Sequence, residues 1–240
     1  MMQDHRDDLV ISYYRVRQVL GYAGLSLPIF LVVGGLLSLG GIEPSISDYY
    51  HTVLRDIFVG IMTAIGLFLI AYPGHHRTDQ DRLSDDRITT LAGIAAIGVA
   101  FFPNEYHVKS DRFESPLQMM LGHTHARWGH YGSAIVFLFL LGLLCHNRFA
   151  RSAKPVRRRI YRACGKVIWA MTLGVIIASY FKIRGPAGPQ AVVNDYYLVL
   201  WFEAVAIWAF AVSWLTKGRA ELALARIGAH LRPAKAPAGE

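Results

Sequence analysis

Apolar residues gather into six long blocks separated by short polar connections. A membrane-crossing helix needs about 20 such residues. The blocks near Gln18–Gly41, Arg55–Tyr72, Ile88–Pro103, Gly129–His146, Ala163–Lys182 and Tyr196–Thr216 meet or approach that length. The second and third are short and are expected to recruit Val53, Leu54 and Thr89 or to pack inside a bundle. Small residues punctuate the blocks, among them Gly34-Gly35, Gly60, Gly66, Gly93 and Gly98, and would let helices approach closely. The pattern predicts an all-α, polytopic membrane bundle of six transmembrane helices. Residues 1–17 form a cytoplasmic N-terminal segment, 18–216 the membrane domain and 217–240 a basic amphipathic tail. The first block is too long for a signal-peptide core and lacks a small-residue cleavage site, so it reads as retained.

Composition agrees with that picture. Of 240 residues, 53% are hydrophobic and 18% charged, and mean hydropathy is +0.31. Disordered, collagenous and disulfide-stapled classes are excluded, and two cysteines cannot build a disulfide framework. The net charge of +8 would suit nucleic acid if it formed a reading surface. Instead, with both termini inside, 19 Lys and Arg residues fall on the inner side and 6 on the outer. That asymmetry selects an N-in, C-in topology in a bacterial inner (cytoplasmic) membrane. Arg148–Arg162 reads as a topology determinant meeting anionic lipid, with no nucleic-acid partner. Membrane lipids and a small amphiphile are the expected partners.

Candidate chemistry concentrates on the outer side. The first outer loop reads Glu43-Pro44-Ser45-Ile46-Ser47-Asp48-Tyr49-Tyr50-His51-Thr52, followed by Arg55-Asp56. The second holds Glu105, His107, Asp111, Glu114, His123, His125 and Arg127, with His130 about one turn into the fourth span. The third ends Asn194-Asp195-Tyr196-Tyr197, and Glu203 follows within the sixth span. Asp48-Tyr49-Tyr50 with Asp56 repeats the spacing of Asp195-Tyr196-Tyr197 with Glu203, which would set two carboxylates at similar depth.

A carboxylate within a span costs a few kcal/mol unless paired, protonated or hydrated, so Glu203 should face the interior with Arg55, Arg127, His51 or His130 as partner. Its plain reading is a packing brace. Its functional reading is a ligand: His51, Asp56, His125, His130 and Glu203 offer donors for a divalent metal, zinc favoured, and three such ligands plus water make a catalytic site. No H-E-x-x-H or other tight motif is present. His125 and His130 lie about 140° apart on a regular helix and cannot both point inward from it. Haem is disfavoured because only His130 lies within a span near the right depth. Lys182, at a helix end, is expected to snorkel.

The stretch Ser47-x-Tyr49-Tyr50-His51-Thr52-x-x-Arg55-Asp56-x-Phe58-Val59-Gly60 resembles a family of uncharacterised bacterial six-span membrane proteins. His130-Tyr131-x-Ser133-Ala134 and Phe202-Glu203-Ala204 resemble other segments of it. That resemblance implies the span number and no activity. Pro44-Ser45-Ile46-Ser47-Asp48 is similar to a loop of the Frag/DRAM/Sfk group, which implies lipid remodelling or organisation. Ser47-x3-His51 with Asp56 is similar to part of the CREST hydrolase pattern, which implies zinc-dependent hydrolysis; the late His-x3-His pair of that group is absent.

Three functions follow as expectations. The first is an outward-facing pocket binding or processing a lipid or amphiphile. In its hydrolytic form Ser47, His51, Arg55, Asp56, His130 and Glu203 would be the catalytic set, with a metal activating water and Arg55 or Arg127 holding an anionic group. Ser47 would stabilise an oxyanion or cap a helix. The second is a proton- or cation-linked transporter using Asp56 and Glu203. The third is a structural membrane protein whose polar residues only brace the bundle.

Overall fold

The computed structural model describes the backbone of residues 2–72, 84–105 and 115–219, with side chains from Tyr14 onward. The described chain is all-α. Helix α1 runs Met2–Ser38, α2 Arg55–Ile70, α3 Asp85–Phe101, α4 Pro116–Leu143, α5 Pro155–Arg184, α6 Ala187–Asp195 and α7 Leu198–Lys217. A 3-10 turn, Ser47–His51, lies between α1 and α2, and a π-helical segment, Leu144–Phe149, extends α4. Each expected span falls on one of these helices. The short α6 was not expected; it fills the connection between α5 and α7.

Among the described residues four stretches are long and apolar enough to cross a membrane: Tyr14–Ser38, Pro116–Phe149, Pro155–Arg184 and Leu198–Lys217. Helices α2 and α3 have 16 and 17 residues. At 1.5 Å per residue they span roughly 25 Å, less than a hydrocarbon core of about 30 Å. They are nonetheless integral to the bundle. Packing runs α1 on α2, α2 on α3, α3 on α4, α4 on α5, α5 on α7 and α7 back on α1, which closes a ring of six helices in chain order.

Close approach explains two of the seams. At Gly66 a Cβ would lie 2.9 Å from the carbonyl oxygen of Gly93, and at Gly93 one would lie 2.5 Å from that of Gly66. Only hydrogen fits at both, so α2 and α3 meet backbone to backbone. Between α4 and α5 the close contact is at one end: Gly142 faces the Trp169 indole, and a Cβ at Gly165 would lie 2.8 Å from the Gly142 carbonyl oxygen. Towards the other end the same two helices are separated by a cavity.

Aromatic packing and Arg17 close the end opposite the cavity. Trp214 is fully buried against Tyr72, Phe149 and Phe210, and the Arg17 guanidinium donates to the Tyr72 hydroxyl at 3.0 Å. Arg148 pairs with Asp85 there at 3.5 Å. The expected amphipathic tail beyond Arg219, His75 and His76 after the second block (expected to be solvent-exposed), and His107, Asp111 and Glu114 lie outside the described residues.

Candidate functional site

Helix ends supply the site with free backbone groups. Proline at 103 has no N–H and pushes the residue before it out of the helical region. Phe102 is accordingly extended (φ −78°, ψ 120°), and α3 stops at Phe101. The last carbonyls of a helix lack helical partners. Here they take side-chain donors: Tyr50 Oη donates to the Phe101 oxygen at 3.4 Å, and His130 Nδ1 lies 2.8 Å from the Phe102 oxygen. A carbonyl only accepts, so Nδ1 carries the proton. In the neutral ring Nε2 is then an acceptor, and it lies 3.0 Å from Ser47 Oγ. The Ser47 hydroxyl therefore donates to His130, which is buried at 2% exposure.

Ser47 is held by the turn on which it sits. It does not cap the second helix, as one expectation had it; within the turn Ser45 Oγ accepts from the Asp48 N–H at 3.1 Å. Just before α2, Thr52 Oγ1 accepts from the Leu54 N–H at 3.1 Å. Two clips tie the loop to α7. The Leu200 N–H, an orphan of the first helical turn, donates to Pro44 O at 3.1 Å. The Ile46 N–H donates to Glu203 Oε2 at 2.7 Å. None of the four expected side-chain partners of Glu203 is the one bonded to it; a backbone amide holds this carboxylate.

Asp48 turns the other way from Ser47, into a buried network. At 1% exposure it accepts from Asn104 Nδ2 at 2.6 Å and from Lys182 Nζ, with which it forms an ion pair. Asn104 Oδ1 in turn takes His51 Nε2 at 2.9 Å. Lys182 is 8% exposed. It does not snorkel: Asp48 meets it inside, and Gln190 of α6 donates to its carbonyl oxygen at 2.7 Å. Burial pushes the His51 imidazole below its ordinary value, against the opposing pull of Asn104 and Asp48. Arg55 sits over the Tyr50 ring at 4.3 Å and donates to its hydroxyl at 2.7 Å.

Some of these groups border a cavity of about 400 Å³ between the N-terminal half of α4 and the C-terminal half of α5. Its polar side is formed by Ser45, Ser47, Asn104, His130, Lys182 and Glu203. Apolar walls come from Ala134 and Ile135 of α4 and Val175, Ile176 and Tyr180 of α5. Ile135, Ile176, Tyr180 and Trp128 are also exposed on the outside of the ring, so the cavity opens sideways as well as towards the loops. At the mouth Arg127 pairs with Glu105 at 2.9 Å. Arg184 stands exposed beside it.

The expected site thus divides. Ser47, His130 and Glu203 come together at the cavity, and His51 joins through Asn104. Arg55 is engaged with Tyr50 instead. Asp56 is exposed at the first turn of α2, and His125 is exposed on α4, its Nδ1 3.0 Å from its own Leu121 oxygen. Gly122, with φ 76°, breaks α4 just before His123, so His130 lies about two turns in rather than one. The two Asp-Tyr-Tyr segments do not play matching roles. Asp48 is buried and Asp195 exposed, whereas Asp56 is exposed and Glu203 engaged. Among the described residues no three His, Cys, Asp or Glu side chains lie close enough to hold a metal ion. His51, Asp56, His125, His130 and Glu203 do not fit as a ligand set, and both nitrogens of His130 are already engaged. Asp48, Asn104 and Lys182 were not foreseen as a group.

Comparison with protein-family models, with curated proteins and with solved structures gives no match.

Proposed function

We propose that this chain is a six-span bacterial inner-membrane protein, with both ends cytoplasmic, whose outward-facing cleft between α4 and α5 binds and processes a lipid or other amphiphile. One observation carries the reading: a single cavity joins a polar floor to apolar walls that continue onto the ring's outer surface. Its volume of about 400 Å³ suits a headgroup and the first carbons of a chain, within the range usual for small-molecule pockets. The rest of the chain would leave along Ile135, Ile176 and Tyr180, where contact with lipid costs nothing. Lys182 and Asn104 supply donors to the polar part, and Arg184 offers a cation at the rim. The Lys and Arg distribution supports the orientation.

The test is photo-crosslinking in membranes with a diazirine-bearing phospholipid. The adducts should map to Trp128–Ile135 and to Val175–Ile183. Filling the cavity with Ala134→Trp or Ser179→Trp should cut that labelling several-fold while leaving the outer face of α1 at Leu36 and Leu37 unchanged. Labelling spread evenly over all lipid-facing helices, or undiminished by either tryptophan, would refute the cleft as a binding site.

A further inference from the structure

We infer that Ser47 and His130 form a nucleophile–base pair that cleaves a carboxylic ester of the bound amphiphile without a metal. This rests on the amphiphile cleft just proposed and adds a reaction to it. The geometry is that of an activated serine. Oγ lies 3.0 Å from Nε2, and the base is oriented by a third group, the Phe102 carbonyl at 2.8 Å from Nδ1. Both side chains border the cavity. A serine with a purely local job bonds its own backbone; in this loop Ser45 already does so, and the Ser47 hydroxyl spans 83 positions of sequence to reach an imidazole.

The step balances with water as co-reactant. Ser47 Oγ bonds to the ester carbonyl carbon while its proton passes to His130 Nε2. That proton leaves on the alcohol oxygen as the C–O bond breaks. A water molecule then gives a proton to Nε2 and adds its hydroxide to the acyl carbon. Ser47 departs and recovers the proton, so ester and water become acid and alcohol. The Phe102 oxygen holds Nδ1–H throughout and favours the imidazolium form in between. Donors for the developing oxyanion are at hand in the same cavity. Lys182 keeps two N–H groups and Asn104 one beyond those given to Asp48. Glu203, through the Ile46 amide, is a positioning residue for Ser47.

A long-chain alkyl fluorophosphonate tests this on the full-length protein in mild detergent. It is itself an amphiphile, and attack by an activated serine forms an Oγ–P bond and expels fluoride. Intact mass should rise by one adduct, and peptide mapping should place it on Ser47. Ser47→Ala should remove the adduct, and His130→Gln should slow its formation at least 10-fold. Both variants should retain photolipid labelling of the cleft, which separates loss of chemistry from loss of folding or binding. Wild-type protein that labels in the cleft with photolipid yet gains no adduct on Ser47 would overturn the inference and leave the binding site standing. So would an adduct forming as fast in His130→Gln. Absence of cleft labelling in the wild type would instead refute the binding reading on which it rests.

Discussion

Lys182→Met should destabilise the protein more than any change to an exposed cation, because it strands Asp48. The carboxylate is 1% exposed. Its oxygens are served by Lys182 and by Asn104 at 2.6 Å. Removing the cation leaves a buried charge with one side-chain hydrogen bond, a loss of about 3–5 kcal/mol. That is two to nearly four powers of ten in the folding equilibrium, at about 1.4 kcal/mol per factor of ten. Asp48→Asn should cost a similar amount, by stranding the ammonium. The double variant removes both charges, and the new amide oxygen can still accept from Asn104. It should lose only about 1–2 kcal/mol, the scale of an ordinary hydrogen bond. The coupling between the two sites should therefore be at least about 4 kcal/mol. Reversible unfolding in mixed micelles, titrated with SDS and followed by tryptophan fluorescence, measures all four species. Single losses that add to the double-variant loss within about 0.5 kcal/mol would refute an energetically coupled pair.

Two further outcomes can be measured by the same unfolding assay. His51 is held below its ordinary value of 6.5 by burial. The unfolded chain therefore binds its proton more readily, so the stabilising contribution is present above about pH 6.5 and lost as pH falls through the lower folded value. His51→Gln, which can still donate to Asn104, should flatten that part of the pH profile; an unchanged slope would show that other groups set it. At the α2–α3 seam, Gly66→Ala drives a methyl against the Gly93 carbonyl and Ile97. It should cost about 1–3 kcal/mol as overpacking, whereas Gly60→Ala meets nothing within 4 Å and should leave the unfolding midpoint in place.

The helices were legible because hydropathy is a local property. Each apolar block maps onto a helix, and the shortness of the second and third blocks reappears in the 16 and 17 residues of α2 and α3. Small residues also announced the close seam at Gly66 and Gly93. The site was legible in part. Ser47, His130 and Glu203 stood out as polar groups at one end of the apolar blocks, and all three reach the cavity. Their partners did not follow from residue type. Glu203 suggested an arginine or histidine, yet a main-chain N–H from Ile46 satisfies it. His125 and Asp56 had ligand chemistry and the same expected side of the membrane, but both are exposed. Helix rotation decides that, and a single span does not fix its own rotation.

Asp48 shows most clearly why the remainder was hidden. In sequence it is a loop acid beside two tyrosines, and a loop acid is ordinarily solvated. Its burial requires two other pieces of chain to arrive together, Asn104 after α3 and Lys182 at the end of α5, while the Ser45 hydroxyl holds its N–H on the same turn. The first two are 56 and 134 residues away, and neither carries a local mark of the encounter. Lys182, read alone, belongs at a lipid–water border; only the inward fold of the α1–α2 loop gives it a carboxylate to meet. That same fold is what sets Ser47 against His130, since residues 47 and 48 share one turn and face different partners. The ion pair and the serine–histidine contact are therefore two consequences of a single event, the docking of this loop into the ring, and a change that frees Asp48 should loosen Ser47 with it.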